Sequence, residues 1–396
     1  MAAGYVSQQA LVTALAGRGI SIDVRQVRRW ESDTPPWPYP GAQQALTELL
    51  GQDIESLGFT PPVGQVGAGR ASRIVSTASA PRVLVQNAAS AQPASAAADY
   101  TAVTRAHRRL YWTVAPAVLH PAASAHAALG GALLPATAGA TRQGVATALA
   151  ESFLLAGRIE FFDLRDPDQA EGTWLRALQA AGEAEDSLLG AAILAHMAFV
   201  PGWRRDRDGA LERMVMARTY ARRGPASAEF LAWLDAVEAE CETRCGQTRT
   251  ALNLIAHGED VLAAGSEHAS PEWMDWFSPV RLAAFKGNTQ LVAGHLPQAR
   301  ETLLGVLEDL PADADKQRTV VFGDLAAVEA AAGMPAAACG YAIRALEQLE
   351  THWYATGMER VREVRRALVT WQHEQCVRDL DDRLYGWGTT LSALTR

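Results

Sequence analysis

From residue 7 onward, apolar residues recur every three or four positions, the spacing of helices that bury one face. Ser7 can cap a first helix whose inward face is Leu11, Ala14 and Leu15. A glycine-containing turn, Gly17 to Ile22, follows, and Asp23 caps a second short helix, Val24 to Glu31. Val27 and Trp30 are three apart and face inward, which leaves Arg25, Gln26, Arg28 and Arg29 pointing outward. A proline-rich loop, Pro35 to Pro40, leads to Gln43–Leu50, with Leu46, Leu49 and Leu50 inward. The run Ile54, Leu57 and Phe59 closes this small core as a fourth short helix.

The pattern then lapses. Gly, Ala, Ser, Pro and Gln dominate residues 61–98, which bury too little apolar surface to offset ordering entropy and read as a flexible linker. One strand-like run, Arg82 to Val85, interrupts it. Helical periodicity resumes at residue 99 and runs to the C-terminus with almost no strand signal. The expected protein is therefore all-α: a block at 1–60, a linker at 61–98 and a helical body at 99–396.

That body repeats. Gly246, Gly294 and Gly333 are each followed five residues later by an alanine (Ala251, Ala299, Ala338) that opens an apolar helical run. Ala170 and Ala210 occupy the same place in two earlier helices, so successive spacings are 40, 41, 48 and 39 residues. Each unit reads as helix, tight turn, helix, with glycine for a left-handed turn residue and alanine for close helix approach. Such periods predict an α-solenoid, whose stacked helix pairs share one core and leave a concave groove. Pro121 is expected in the first turn of its helix, and a single helix is expected over Thr356–Tyr385.

The 396 residues are 48% hydrophobic and 20% charged, ordinary for a globular chain. The longest apolar stretches are interrupted and alanine-rich, none reaching the roughly 18 residues of a membrane span. No apolar signal-like segment follows Met1, so a cytoplasmic location and no membrane partner are expected. Four cysteines do not make a disulfide framework. Net charge is −8, yet residues 1–110 carry +3 and the remainder −11. No large basic patch exists, so any DNA binding must come from a small local arrangement.

Catalytic motifs are wanting. Neither Lys286 nor Lys316 sits in a GxxxxGK[ST] loop, and Gly64–Gly69 lies in the linker with no strand before it. Cys241 and Cys245 are four apart on one helix face but have no second pair to complete a metal site, and HExxH and GxSxG are missing. The expectation is a protein without cofactor or metal, and not an enzyme. Aromatic residues distributed over the repeats, Trp233, Trp273, Trp276, Phe277, Trp353 and Tyr354, are core residues or groove lining. Asn253 and Asn288, on successive repeats, can hold a peptide backbone, and Arg281 and Lys286 can receive a carboxylate; solvated polar faces are the plain alternative. Trp233, Asn253, Trp276, Arg281 and Asn288 are thus the candidate groove residues.

The N-terminal block resembles the helix-turn-helix domain of lambda-repressor-like, xenobiotic-response-element-type transcription regulators. The residues that carry the likeness are Ser7-Gln8-Gln9-Ala10-Leu11, Val27-Arg28-Arg29-Trp30-Glu31-Ser32, and Ala45-Leu46 through Ile54-Glu55-Ser56-Leu57. The resemblance implies that Val24–Glu31 enters the major groove, with Arg25, Gln26 and Arg28 at base edges and Arg29 and Gln8 at phosphates. The turn between the paired helices is about five residues longer than the tight form. As a whole the chain looks like bacterial regulators that join such a reader to tetratricopeptide-like repeats, on strings such as Phe161-Phe162-Asp163-Leu164 and Leu194-Ala195-His196-Met197. The likeness implies a homodimer on a double-stranded DNA operator, with a peptide, small molecule or protein partner in the repeat groove. The competing expectation is a tetratricopeptide-like scaffold whose N-terminal cap reads no DNA. Its motive is that residues 1–60 hold four bases against six acids, and that only six residues precede Ser7.

Overall fold

The computed structural model describes residues 7–32, 35–50, 54, 57, 59–60 and 92–394. The strand-like run 82–85, the glycine-rich stretch 64–69 and most of the fourth short helix lie outside the described residues. Those described form seventeen α-helices and no strand. The chain divides into two compact units, Met1–Ala89 and Ser90–Arg396.

In the first unit, α1 (Gln8–Ala16) begins where Ser7 Oγ accepts the Ala10 amide at 3.2 Å. Helix α2 (Val24–Trp30) begins where Asp23 Oδ1 accepts the Gln26 amide at 2.8 Å. These caps occupy amide donors that a helix start leaves without partners. Helix α3 (Pro40–Leu50) completes the three, and Leu15, Val27, Trp30, Ala42, Ala45, Leu46, Ile54 and Phe59 are buried. Trp30 meets Phe59 edge to face at 6.0 Å.

The second unit is a run of helix pairs. They are α4 (Ser95–Leu110) with α5 (Pro116–Leu133), α6 (Gly139–Arg158) with α7 (Pro167–Glu183), and α8 (Ser187–Trp203) with α9 (Arg207–Ala221). Then come α10 (Ala228–Arg244) with α11 (Thr248–Ala264), α12 (Pro279–Val292) with α13 (Leu296–Asp309), and α14 (Asp315–Ala331) with α15 (Pro335–Thr351). Helices α16 (Ala355–Ala367) and α17 (Gln375–Leu394) end the series. The first helix of each pair from α6 also packs on the first helix of the next pair, so α6, α8, α10, α12, α14 and α16 form an inner layer. Their partners form an outer layer, and the architecture is the α-solenoid that the repeat spacing predicts.

The turn chemistry follows the repeat. Gly246, Gly294 and Gly333 have φ of 80°, 78° and 76°. In the two earlier repeats, Arg165 (φ 61°) and Arg205 (φ 59°) take the same left-handed conformation without glycine. The residue after each is an N-cap: Asp166 accepts from Gln169 N at 3.0 Å and Asp206 from Gly209 N at 3.1 Å. Five residues past each left-handed position stand Ala170, Ala210, Ala251, Ala299 and Ala338, all buried between paired helices.

Three local expectations differ. Pro116, not Pro121, opens α5, and Pro121 sits inside that helix on its exposed side. The expected helix over Thr356–Tyr385 is broken by a 3₁₀ turn, Leu368–Trp371, that reverses the chain so α17 can cover α15. Segment Pro116–Ala136 is long and apolar enough to cross a membrane by length and composition. Its apolarity is largely alanine, and it packs along α6 with Leu119, Ala123, Ala127 and Gly130 buried.

Helix α6 runs into one π-helical stretch, Ile159–Asp163, which meets the far end of the inner layer. Lys316 Nζ of α14 reaches Asp163 Oδ1 at 2.8 Å, and Trp353 Nε1 donates to the Asp163 carbonyl at 3.2 Å. Thr356 Oγ1 of α16 donates to the Phe162 carbonyl at 3.0 Å, and Arg165 pairs with Glu359. The inner helices therefore close into a ring.

Candidate functional site: a cationic, aromatic cavity within the helical ring

The inner layer surrounds a partly open cavity of about 110 Å³. Every element of the ring contributes: Arg158 and Phe162 from α6 and its π-helical end, His196, Phe199 and Trp203 from α8, and Trp233, Glu240 and Arg244 from α10. Trp276 and Phe277 come from the segment before α12, Arg281, Phe285 and Asn288 from α12, Lys316 and Asp324 from α14, and Tyr354, Thr356 and Arg360 from Tyr354 onward. Tyr111 and Trp112 follow α4 and complete the wall.

The aromatic lining is continuous. Trp276 meets Trp233 at 5.7 Å and is backed by Trp273, which stacks on it at 5.7 Å; His196 lies 5.1 Å from Trp233 and 5.3 Å from Trp276. Arg158, 6% exposed, lies between the faces of Tyr111 (4.8 Å) and Trp276 (4.6 Å). Arg244 covers the Trp203 ring at 3.4 Å, and Lys316 Nζ sits 3.7 Å from the Tyr111 centroid. Each such contact contributes roughly 0.5–2 kcal/mol, the larger figure where the cation is desolvated.

Most of the charges are paired. Arg244 Nε donates to Glu240 Oε1 at 2.8 Å, Asn288 Nδ2 donates to Glu240 Oε2 at 3.1 Å, and Arg360 lies 3.2 Å from Asp324. Burial and the neighbouring Glu240 and Glu363 push the Asp324 carboxyl up to about 6 despite Arg360. Burial pushes Asp163 up and Lys316 down, and their mutual attraction opposes both shifts. Burial, with Arg158 nearby, lowers His196 to about 3, so the ring is neutral at ordinary pH. Its Nδ1 lies 2.8 Å from the Ala192 carbonyl, which only accepts; Nδ1 therefore carries the proton and Nε2 is an acceptor.

Of the expected groove residues, Trp233, Trp276, Arg281 and Asn288 come together at this cavity. Asn253 does not: it is exposed on the outer helix α11, because Ala251 and Ile255 take the inward positions of that helix. Lys286 is on α12 but pairs with Glu259 of α11 at 2.8 Å. Arg158, His196, Lys316 and Arg360 were missed by the sequence reading. One signal pointed to His196: it is the sole ionisable residue in the apolar run from Leu188 to Trp203. Cys241 is buried on α10, its thiol 3.6 Å from the Ala198 carbonyl, and no cluster of metal-binding side chains occurs among the described residues.

On the first unit, α2 presents the expected outward set. Arg25, Arg28 and Arg29 are exposed and Gln26 is half-buried, with Val27 and Trp30 inward. Arg25 and Arg29 have no ion pair among the described residues. Gln8 of α1 links the two helices: its Oε1 accepts from Arg28 Nε at 3.1 Å and its Nε2 donates to Glu31 at 2.6 Å. No protein-family model matches the sequence, and no curated protein shows significant similarity to it.

Proposed function

We propose that the chain is a DNA-binding transcription regulator, in which residues 1–60 read an operator and the repeat body senses a ligand in its cavity. The observation that carries this reading is the outer side of α2, where three exposed arginines and a half-buried glutamine stand on a helix anchored from behind by Val27 and Trp30. Arginine pairs bidentately with guanine, and glutamine with adenine. The likeness to lambda-repressor-like readers supports the same assignment, with Gln8 and Arg29 toward phosphates. Gln8 holds Arg28 and so limits the rotamers that an unbound arginine would lose on docking. A reader of this size binds weakly alone, so the proposal includes a homodimer on paired half-sites. Ligand binding in the repeat body shifts the population of the DNA-competent form. The proposal needs no cofactor and no membrane, and places the protein in the cytoplasm.

The test is selection of bound fragments from a random DNA pool at two salt concentrations. The expected result is an enriched, two-fold-symmetric site whose affinity falls as salt rises, as counterion release requires. Absence of any enriched site overturns the reading and leaves the protein-interaction scaffold.

A further inference from the structure

We infer that the cavity takes a compact organic anion, a single carboxylate carried on a body about the size of one ring. The inference rests on the repeat body being the ligand-sensing part, and gives its ligand a chemical class. Charge is the first argument. The cavity wall holds five cations (Arg158, Arg244, Arg281, Lys316, Arg360) against two carboxylates, in a chain of net charge −8. Lys316, Arg244 and Arg360 each have an acid partner. The side chains of Arg158 and Arg281 have no ion pair and no hydrogen bond among the described residues, although Arg158 is only 6% exposed. Asp275 and Asp163 act on Arg158, and Glu240 on Arg281, only through space; without an acid in contact such cations are costly, and rings supply only part of what an anion would. The two guanidiniums also repel each other, which adds to burial in depressing Arg281. A carboxylate shared between them supplies a charge in direct contact and accepts their hydrogen bonds in the fork geometry that guanidinium favours.

Donor balance and size agree. The indole nitrogens of Trp203 and Trp276 and Nε of Arg281 are buried without a partner, and all three are donors. A wall with donors to spare selects an acceptor-rich guest. A cavity of about 110 Å³ is of the order that admits one aromatic ring. Aromatic faces around the remaining wall suit an apolar body.

Calorimetric titration of the full chain, without DNA, tests the inference with benzoate, phenylacetate, their two amides and sulfate. One of the carboxylates is expected to bind at least about tenfold more tightly than its amide and than sulfate. Arg158→Met and, separately, Arg281→Gln are expected to erase that preference; thermal unfolding without ligand verifies that each variant folds, and either one suffices. Equal binding of carboxylate and amide, sulfate binding as tight as the carboxylates, or a preference that survives in the folded variants overturns the inference. So does silence of every probe up to about 10 mM. Because no DNA is present, failure here leaves the operator reading standing, and an empty DNA selection leaves this titration standing.

Discussion

The two units of this protein use arginine in opposite ways. In the first, α2 turns Val27 and Trp30 into a small core and leaves Arg25, Arg28 and Arg29 in solvent. In the second, the inner helices turn Arg158, Arg281 and Arg360 toward one another inside a closed ring. An outward arginine costs the fold almost nothing and remains available to a partner. An inward one must be compensated by acids, rings or a ligand, so it ties binding to stability. One unit leaves its cations on a surface; the other gathers them around a cavity.

The largest way to break the contrast is Lys316→Met. It leaves Asp163 buried without its partner where the ring closes, and is expected to cost about 3–5 kcal/mol. Urea unfolding measures it, and pairing the change with Asp163→Leu should recover much of the loss, because an apolar pair needs no counter-charge. A cost below about 1 kcal/mol would show that the closure is not maintained by this pair.

The next effect is on pH dependence, with opposite signs at two cavity residues. Asp324 titrates in the fold near 6, above an ordinary aspartate, so the fold retains its proton more strongly than the unfolded chain does. Its contribution is present below the unfolded pKa and disappears as pH rises through about 6. His196, lowered to about 3, contributes above pH 6.5 and loses that contribution as pH falls. Stability measured from pH 4 to 7 should therefore tilt toward Asp324→Asn, relative to the parent, as pH rises. A parallel pair of curves would contradict the assigned environment.

Arg28→Ala sharpens the outward side. Operator binding should weaken by roughly 1–3 kcal/mol with relaxed specificity at one base pair, while unfolding free energy stays within about 0.5 kcal/mol. Equal loss on every sequence would instead assign Arg28 to a phosphate. The smallest expected effect is Arg205→Gly, which relieves a left-handed conformation at an exposed turn. A gain of about 0.5–1 kcal/mol is expected in urea unfolding, and a loss would mean the arginine side chain matters more than its backbone.

Much of the fold was legible because the repeat leaves local marks. Buried alanines five residues after each turn, and glycines that accept a positive φ, state the register of the pairs from α6 to α15 without any long-range information. The turns at Arg165 and Arg205 were harder, since no glycine marks them and the following aspartate cap is the only cue. The break between α16 and α17 has neither glycine nor proline, and nothing local distinguishes it from a continuing helix. At the site, aromatic anchors such as Trp233 and Trp276 could be picked out by type, whereas Asn253 was placed with them only because repeat membership does not say which layer a residue faces.

The all-helical class, the repeat register and the outward face of α2 are all readable from the residues, since each follows from periodicity within a few turns of one helix. The tertiary structure alone decided that the ring closes and which charges meet inside it. Thr356 and Phe162 are 194 residues apart, and Lys316 and Asp163 are 153 apart. Small rotations summed over successive helix pairs set those meetings. No local pattern encodes that sum, so the cavity exists only once the pairs are stacked.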